Sequence, residues 1–125
     1  MRQFGELEAV VMDRLWSWDW PVVVRDVLED LQRDRTIAYT TVMTVLDNLY
    51  RKGFVIREKD GRAYRYRPAN TREEHTASLM EQALAGGGDR GTALLHFVER
   101  MPAAEIARLR EALNSFEPSR EAKPR

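Results

Sequence analysis

Between residues 38 and 67 the chain gathers side chains suited to one kind of chemistry, the reading and gripping of a polyanion. The segment AYTTVMTVLDNLYRKGFV carries Thr40, Thr41, Thr44 and Asn48. These are short donors and acceptors, and with the threonine methyls and Met43 they match base edges and thymine methyl groups. Residues 51–67 then hold seven cations (Arg51, Lys52, Arg57, Lys59, Arg62, Arg65 and Arg67) against Glu58 and Asp60, a local net charge of +5. Residues 1–50 have 5 basic side chains against 9 acidic, and residues 68–125 have 8 against 9, so the whole chain is neutral, 20 against 20. A neutral protein with one basic block fits a local anionic partner better than general attraction to anions.

Other chemistries lack their residues. There is no cysteine, which excludes disulfides and thiolate metal sites. The only histidines, His75 and His96, stand 21 residues apart with no ligand cluster around either, so neither a metal nor a catalytic role is expected. Gly86-Gly87-Gly88 is not followed by the Lys-Ser/Thr of a phosphate loop and reads as a linker. No cofactor is expected, and the chain reads as a binding protein and not an enzyme. Trp16, Trp18 and Trp20 in WSWDWP could stack on nucleobases, but packing is the favoured reading for large aromatics near a helix end. No apolar run approaches the roughly 20 residues of a membrane span. The start, MRQFGELEAVVMDRL, is amphipathic and contains acids, unlike a secretory signal, so a cytoplasmic location without direct membrane association is expected.

The elements that must position the reading residues follow from periodicity. Residues 5–18 predict a helix with Leu7, Val10, Val11 and Leu15 on its buried stripe. Val22 and Val23 could form a very short strand. Val24, Val27, Leu28 and Leu31 mark a second helix to about Arg33. In the threonine helix Val42, Val45, Leu46 and Leu49 recur at i, i+3, i+4, i+7 and face a core, which leaves Thr40, Thr41, Thr44, Asn48 and Arg51 largely on the other side. Thr40 or Thr41 is also expected to cap the helix, and Gly53 suits its end. Threonine and valine are mediocre helix formers; a face chosen for contact, with stability supplied by tertiary packing, accounts for them. A strand follows with Phe54 and Ile56 on one face, then an Asp60-Gly61 hairpin loop. The return strand has Tyr64 and Tyr66 inward, Arg65 and Arg67 outward, and Pro68 at its end.

Helix, short strand, helix, helix and basic hairpin describe a winged helix-turn-helix over residues 1–70. The threonine helix would enter the major groove of double-stranded DNA, and Lys59, Arg62 and Arg65 of the wing would lie near phosphate or a minor groove. The predicted DNA-contact set is Thr40, Thr41, Met43, Thr44, Asn48, Arg51, Lys52, Lys59, Arg62 and Arg65. From Thr71 the character changes. Thr71 and Glu74 form a capping-box pattern, Gly86–Gly88 interrupts, TALLHFVER reads as a short helix, and Pro102 sits at the start of a last one. Leu79, Met80, Leu94, Leu95, Phe97, Val98, Ile106, Leu109, Leu113 and Phe116 are more apolar side chains than three short helices can bury alone. Residues 71–118 are therefore expected to form a small helical dimerisation domain, and residues 119–125 a flexible tail. The fold class is mainly α. A homodimer supplies two reading helices, as a pseudo-palindromic DNA site requires.

The segments VVMDRLW, AYTTVMTVLDNLYRKGFV, KDGRAYRYRP and ALLHFVER together make the chain resemble the BlaI/MecI family of penicillinase repressors over roughly residues 4 to 116. The resemblance implies a dimeric repressor on dyad operators, many of them controlling β-lactam resistance genes. It implies inactivation by a membrane sensor-protease that cuts within the segment similar to LLHFVER. The bond is Asn-Phe in the best-known members and corresponds here to His96-Phe97. Copper-sensing relatives use C-terminal cysteine pairs, a route closed to this chain. Two other readings stand beside a protease-regulated repressor: a repressor released by a directly bound small ligand, and a winged helix serving only as a protein-interaction module.

Overall fold

Residues 4–116 are described by a computed structural model; the expected tail, 119–125, lies outside them. The elements are α1 (Glu6–Ser17), α2 (Val24–Leu31), α3 (Tyr39–Arg51), β1 (Val55–Asp60), β2 (Ala63–Pro68), α4 (Arg72–Ala85), α5 (Arg90–Glu99) and α6 (Ala103–Ser115). Two compact units divide between Met80 and Glu81. None of these helices is long and apolar enough to cross a membrane.

The first unit is a winged helix-turn-helix. α3 buries Val42, Val45, Leu46 and Leu49, the stripe its spacing predicts, against Val27, Leu28 and Leu31 of α2. Each such side chain contributes about 1.5–3 kcal/mol when taken out of water. α3 closes on Gly53 at φ 85°, with Phe54 N–H donating to Leu49 O and Gly53 N–H to Tyr50 O, both at 3.0 Å. That paired closure needs a left-handed residue, which is why glycine stands there. On α1 the buried stripe is Glu8, Val11, Met12 and Leu15. The expected Leu7 and Val10 are only half-buried. Both sets have helical spacing, and the core selects the one whose first member is an acid.

The hairpin is antiparallel, with Val55 opposite Pro68, Arg57 opposite Tyr66, Lys59 opposite Tyr64 and Asp60 opposite Ala63. Opposed residues share a face. One face therefore carries Val55, Arg57, Lys59, Tyr64 and Tyr66, and the other Ile56, Glu58, Arg65 and Arg67. Val55 enters the core, and Phe54, expected to share a strand face with Ile56, lies outside the strand, packing edge-on to Phe4 at 4.5 Å. Tyr66 is buried as predicted, whereas Tyr64 on the same face stays exposed. The two-residue loop is Gly61-Arg62, one position later than the Asp-Gly reading, with Gly61 at φ 65°. A glycine leading the loop suits a type II′ turn, which tolerates an ordinary residue second. The valine pair before α2 supplies a single bridge: Val22 and Tyr66 exchange backbone hydrogen bonds of 3.0 and 2.7 Å.

The Thr71–Glu74 capping box is formed, with Thr71 N–H to Glu74 Oε1 at 2.8 Å and Glu74 N–H to Thr71 Oγ1 at 3.0 Å. The start of α4 belongs to the first unit. Trp16 Nε1 donates to Asn70 O at 2.9 Å, Arg72 pairs with Asp13 at 2.7 Å, and His75 stacks on Phe4 at 4.5 Å. Those contacts carry the first unit to Met80, past the boundary expected at residue 70. Trp16 and Trp18 pack against the core, but Trp20 is 63 % exposed. In the second unit Asp89 caps α5, accepting from Thr92 N–H at 2.8 Å, and Pro102 precedes α6. Neither α5 nor α6 has a buried residue: Leu95 is 67 % exposed, Phe97 53 %, Leu113 63 % and Phe116 64 %.

Candidate nucleic-acid interface

The N-terminus of α3 differs from every other helix start among the described residues. α1 has Glu6 and Glu8 in its first turn, α2 Asp26, α4 Glu73 and Glu74, and α6 Glu105, while α5 has the Asp89 cap. α3 has no acid in its first turn and no side-chain cap. The expected threonine cap is not made. The capping position falls on Ala38, so Thr40 and Thr41 are already helical and present their side chains outward. The first backbone N–H groups of α3 and its positive dipole end are thus left for an outside acceptor. Thr40, Thr41, Met43 and Thr44 are exposed, and Asn48 is half-buried on the turns that follow.

The cations predicted for phosphate divide into two sets. Arg62 at the wing tip and Lys59 on the Tyr64 face have no ion-pair partner among the described residues. Arg51 is well exposed and pairs with Asp47 one turn earlier, a contact that weighs little in water. Lys52 points the other way. Its Nζ holds Glu8 Oε1 at 2.7 Å and Oε2 at 3.0 Å, and Gly5 N–H donates to the same carboxylate at 2.7 Å. Burial opposes the charge on Glu8, yet the Lys52 and Gly5 hydrogen bonds outweigh it and hold the carboxyl below its ordinary range. Lys52 is thus a structural partner for a buried acid, which an unpaired Glu8 would make costly. Arg65 lies on the outer face of the wing, paired with Asp60 at 2.6 Å.

Arg57 also belongs to the structure. Its guanidinium lies 3.9 Å from the Tyr50 ring centre and 4.3 Å from that of Tyr64, and reaches Asp47 at 3.3 Å. Desolvation lowers its pKa, but its hydrogen bond to Tyr66 and the neighbouring tyrosines prevail, and the net shift is upward. This side chain fastens the wing to the end of α3 through cation–π and ion-pair contacts.

Two residues escaped the sequence reading. Tyr39, the first residue of α3, and Arg25, in the first turn of α2, line a groove of about 350 Å³ together with Met43, Arg62 and Tyr64. Arg25 has no ion-pair partner among the described residues. Arg25 lies off the helical stripe, and Tyr39 precedes the threonine run, so neither period marked them. No group of three or more His, Asp or Glu that could hold a metal occurs among the described residues.

Comparison with known proteins gives a consistent picture. A family model described as penicillinase repressor matches residues 4–115. The transcriptional regulator BlaI of Mycobacterium tuberculosis is 48 % identical over 120 residues, covering 94 % of this chain and 87 % of that protein. The methicillin resistance regulatory protein MecI of Staphylococcus aureus is 25 % identical over 118 residues, covering 90 % of this chain and 94 % of MecI. The solution structure of the DNA-binding domain of the repressor BlaI superposes with a TM-score of 0.52 at 26 % identity, covering 58 % of this chain and 87 % of that domain. A winged helix with an uncapped, hydroxyl-bearing reading helix and a cationic wing tip, matched by that family model over nearly all its length, belongs to the penicillinase repressor (BlaI/MecI) family of DNA-binding transcriptional regulators.

Proposed function

We propose that the chain represses transcription as a homodimer on a pseudo-palindromic operator, with each α3 in a major groove. The observation that carries the reading is the start of α3. It is the one helix N-terminus among the described residues left without acid or cap, and it adjoins the groove holding Arg25, Tyr39 and Arg62. Thr40, Thr41, Met43 and Thr44 read base edges, with Asn48 at the far end of the face. Arg51, Lys59 and Arg62 position the backbone, joined by Arg25 and Tyr39. Lys52 is withdrawn from that set because Glu8 holds it elsewhere, and Arg65 because it lies on the wing face opposite to Lys59 and Tyr64.

The exposed Leu94, Leu95, Phe97, Leu109, Leu113 and Phe116, with Met80, Leu79, Val98 and Ile106, are what a second copy would cover. A large exposed apolar surface on a small helical unit marks an association surface. The description of the family as penicillinase repressor and the name of MecI support target genes of the β-lactam resistance kind. Induction acts through cleavage at His96-Phe97 by a membrane sensor-protease. That bond lies inside α5, so cutting requires local unwinding of the helix. A winged helix serving only protein partners would have no use for an acid-free helix start beside unpaired arginines.

Selection of bound fragments from a genomic library tests the reading and identifies the operator. Thr44→Val keeps the shape and removes the hydroxyl. It should weaken binding to the selected site by about 1–3 kcal/mol and leave random DNA unaffected. Equal binding of both DNAs before and after the change would remove Thr44 as a polar reader.

A further inference from the structure

We propose that the tryptophan cleft of the first unit is a binding site for small organic cations, of the kind that carry a quaternary ammonium or another diffuse positive charge beside an apolar body. The cleft has a volume of about 490 Å³, within the range of small-molecule sites. Its walls are Trp16, Trp18, Trp20, Pro21 and Pro68. Trp16 is accounted for by packing and by its hydrogen bond to Asn70 O. Trp18 and Trp20 have no side-chain hydrogen bond among the described residues, and Trp20 is largely exposed beside the cleft. A large ring left in water next to a ligand-sized cleft is what a site awaiting an apolar occupant presents.

The charges decide the sign of the occupant. Two arginines line the cleft and three acids, Asp19, Glu73 and Glu74, outnumber them. Arg72 pairs with Asp13 at 2.7 Å and lies 5.0 Å from the Trp16 ring, and Arg67 is 4.0 Å from Glu58. The start of α4 also faces the cleft, but Glu74 answers the helix dipole there by accepting from Thr71 N–H. What remains is Asp19, between two tryptophans, and Glu73. Neither has an ion-pair or hydrogen-bond partner among the described residues. Unpaired carboxylates beside indole faces attract a diffuse cation through charge and ring quadrupole together, and they repel an anion.

The chain carries its own reporter, since its three tryptophans all line this cleft. Full-length protein is titrated with benzyltrimethylammonium, with its uncharged isostere neopentylbenzene, and with phenylacetate, following tryptophan emission. Saturable quenching by the cation, at least about tenfold tighter than by either other probe, is expected. Asp19→Asn and Glu73→Gln should each weaken the cation about three- to fivefold without altering the response to neopentylbenzene. Trp20→Ala should weaken all probes that bind. Phenylacetate or neopentylbenzene binding as tightly as the cation would overturn the proposal, as would absence of saturable quenching or unchanged cation affinity in the two carboxylate variants. Asp19, Glu73 and Trp20 are exposed, so these changes leave the core intact. The probe series on the unaltered protein decides the sign of charge by itself.

Discussion

Replacing Lys52 by Met separates a structural lysine from a DNA-binding one. Methionine keeps the apolar stem and removes the charge. Glu8, with 7 % of its surface exposed, then loses hydrogen bonds of 2.7 and 3.0 Å and retains only Gly5 N–H. Breaking a fully buried pair costs about 3–5 kcal/mol. The Lys52 side chain is 36 % exposed, so water can reach the gap, and the range for a charged hydrogen bond, about 1.5–3 kcal/mol, is the better expectation. For a domain of this size that lowers Tm by roughly 6–24 °C. Unfolding of the full chain can be followed by tryptophan emission, which reports on the first unit because all three tryptophans lie there. The pH dependence has a definite sign. In the unaltered protein the folded pKa of Glu8 is depressed, so its contribution is present above the ordinary value of 4.5 and lost as pH falls through the folded pKa. In Lys52→Met burial acts with less opposition and the folded pKa rises, so less stability is lost when Glu8 is protonated, and the stability gap between parent and variant should narrow as pH falls. Operator binding by the folded variant should keep its salt dependence. A variant as stable as the parent, whose slope of log K against log salt flattens by about 0.9, would show Lys52 on phosphate and refute this account.

Arg62→Ala should behave in the opposite way, with unchanged thermal stability and a salt slope flatter by about 0.9 per operator half-site; an unchanged slope would take the wing tip off the DNA. A fragment of residues 1–80 should fold, sediment as a monomer at micromolar concentration and bind a half-site weakly, since a second reading helix no longer raises its effective concentration; a dimeric fragment would move the interface into the winged helix. In cells exposed to a β-lactam, intact-mass analysis should find a fragment ending at His96; derepression with only full-length protein present would exclude cleavage and favour a directly bound ligand.

The winged helix was legible because its elements follow from local spacing. The α3 stripe repeats at 3.6 residues, the wing alternates at two, and Gly53 and Gly61 stand where backbone φ must be positive. The exposed face of α3 was legible for the same reason, as the complement of the buried stripe. The cation assignments were less so. Seven basic residues in seventeen identify an anionic partner but not which of them reach it. Register places Arg57 and Arg65 on opposite faces of the hairpin, and two partners of Arg57, Tyr50 and Asp47, lie on α3, outside the hairpin's alternation.

By itself, then, the sequence determined the element order, the buried face of α3, the basic hairpin and the surplus of apolar residues after Thr71. These depend on side-chain periodicity and backbone permissions that act over a few residues. Tertiary structure decided which of two overlapping stripes on α1 faces inward, that Lys52 serves Glu8 44 residues away, that the helix cap falls on Ala38, and that the start of α4 packs with the winged helix. Those outcomes turn on small differences between packings that satisfy the same local pattern. Only the assembled core, where an acid is tolerated if a cation can reach it, selects among them.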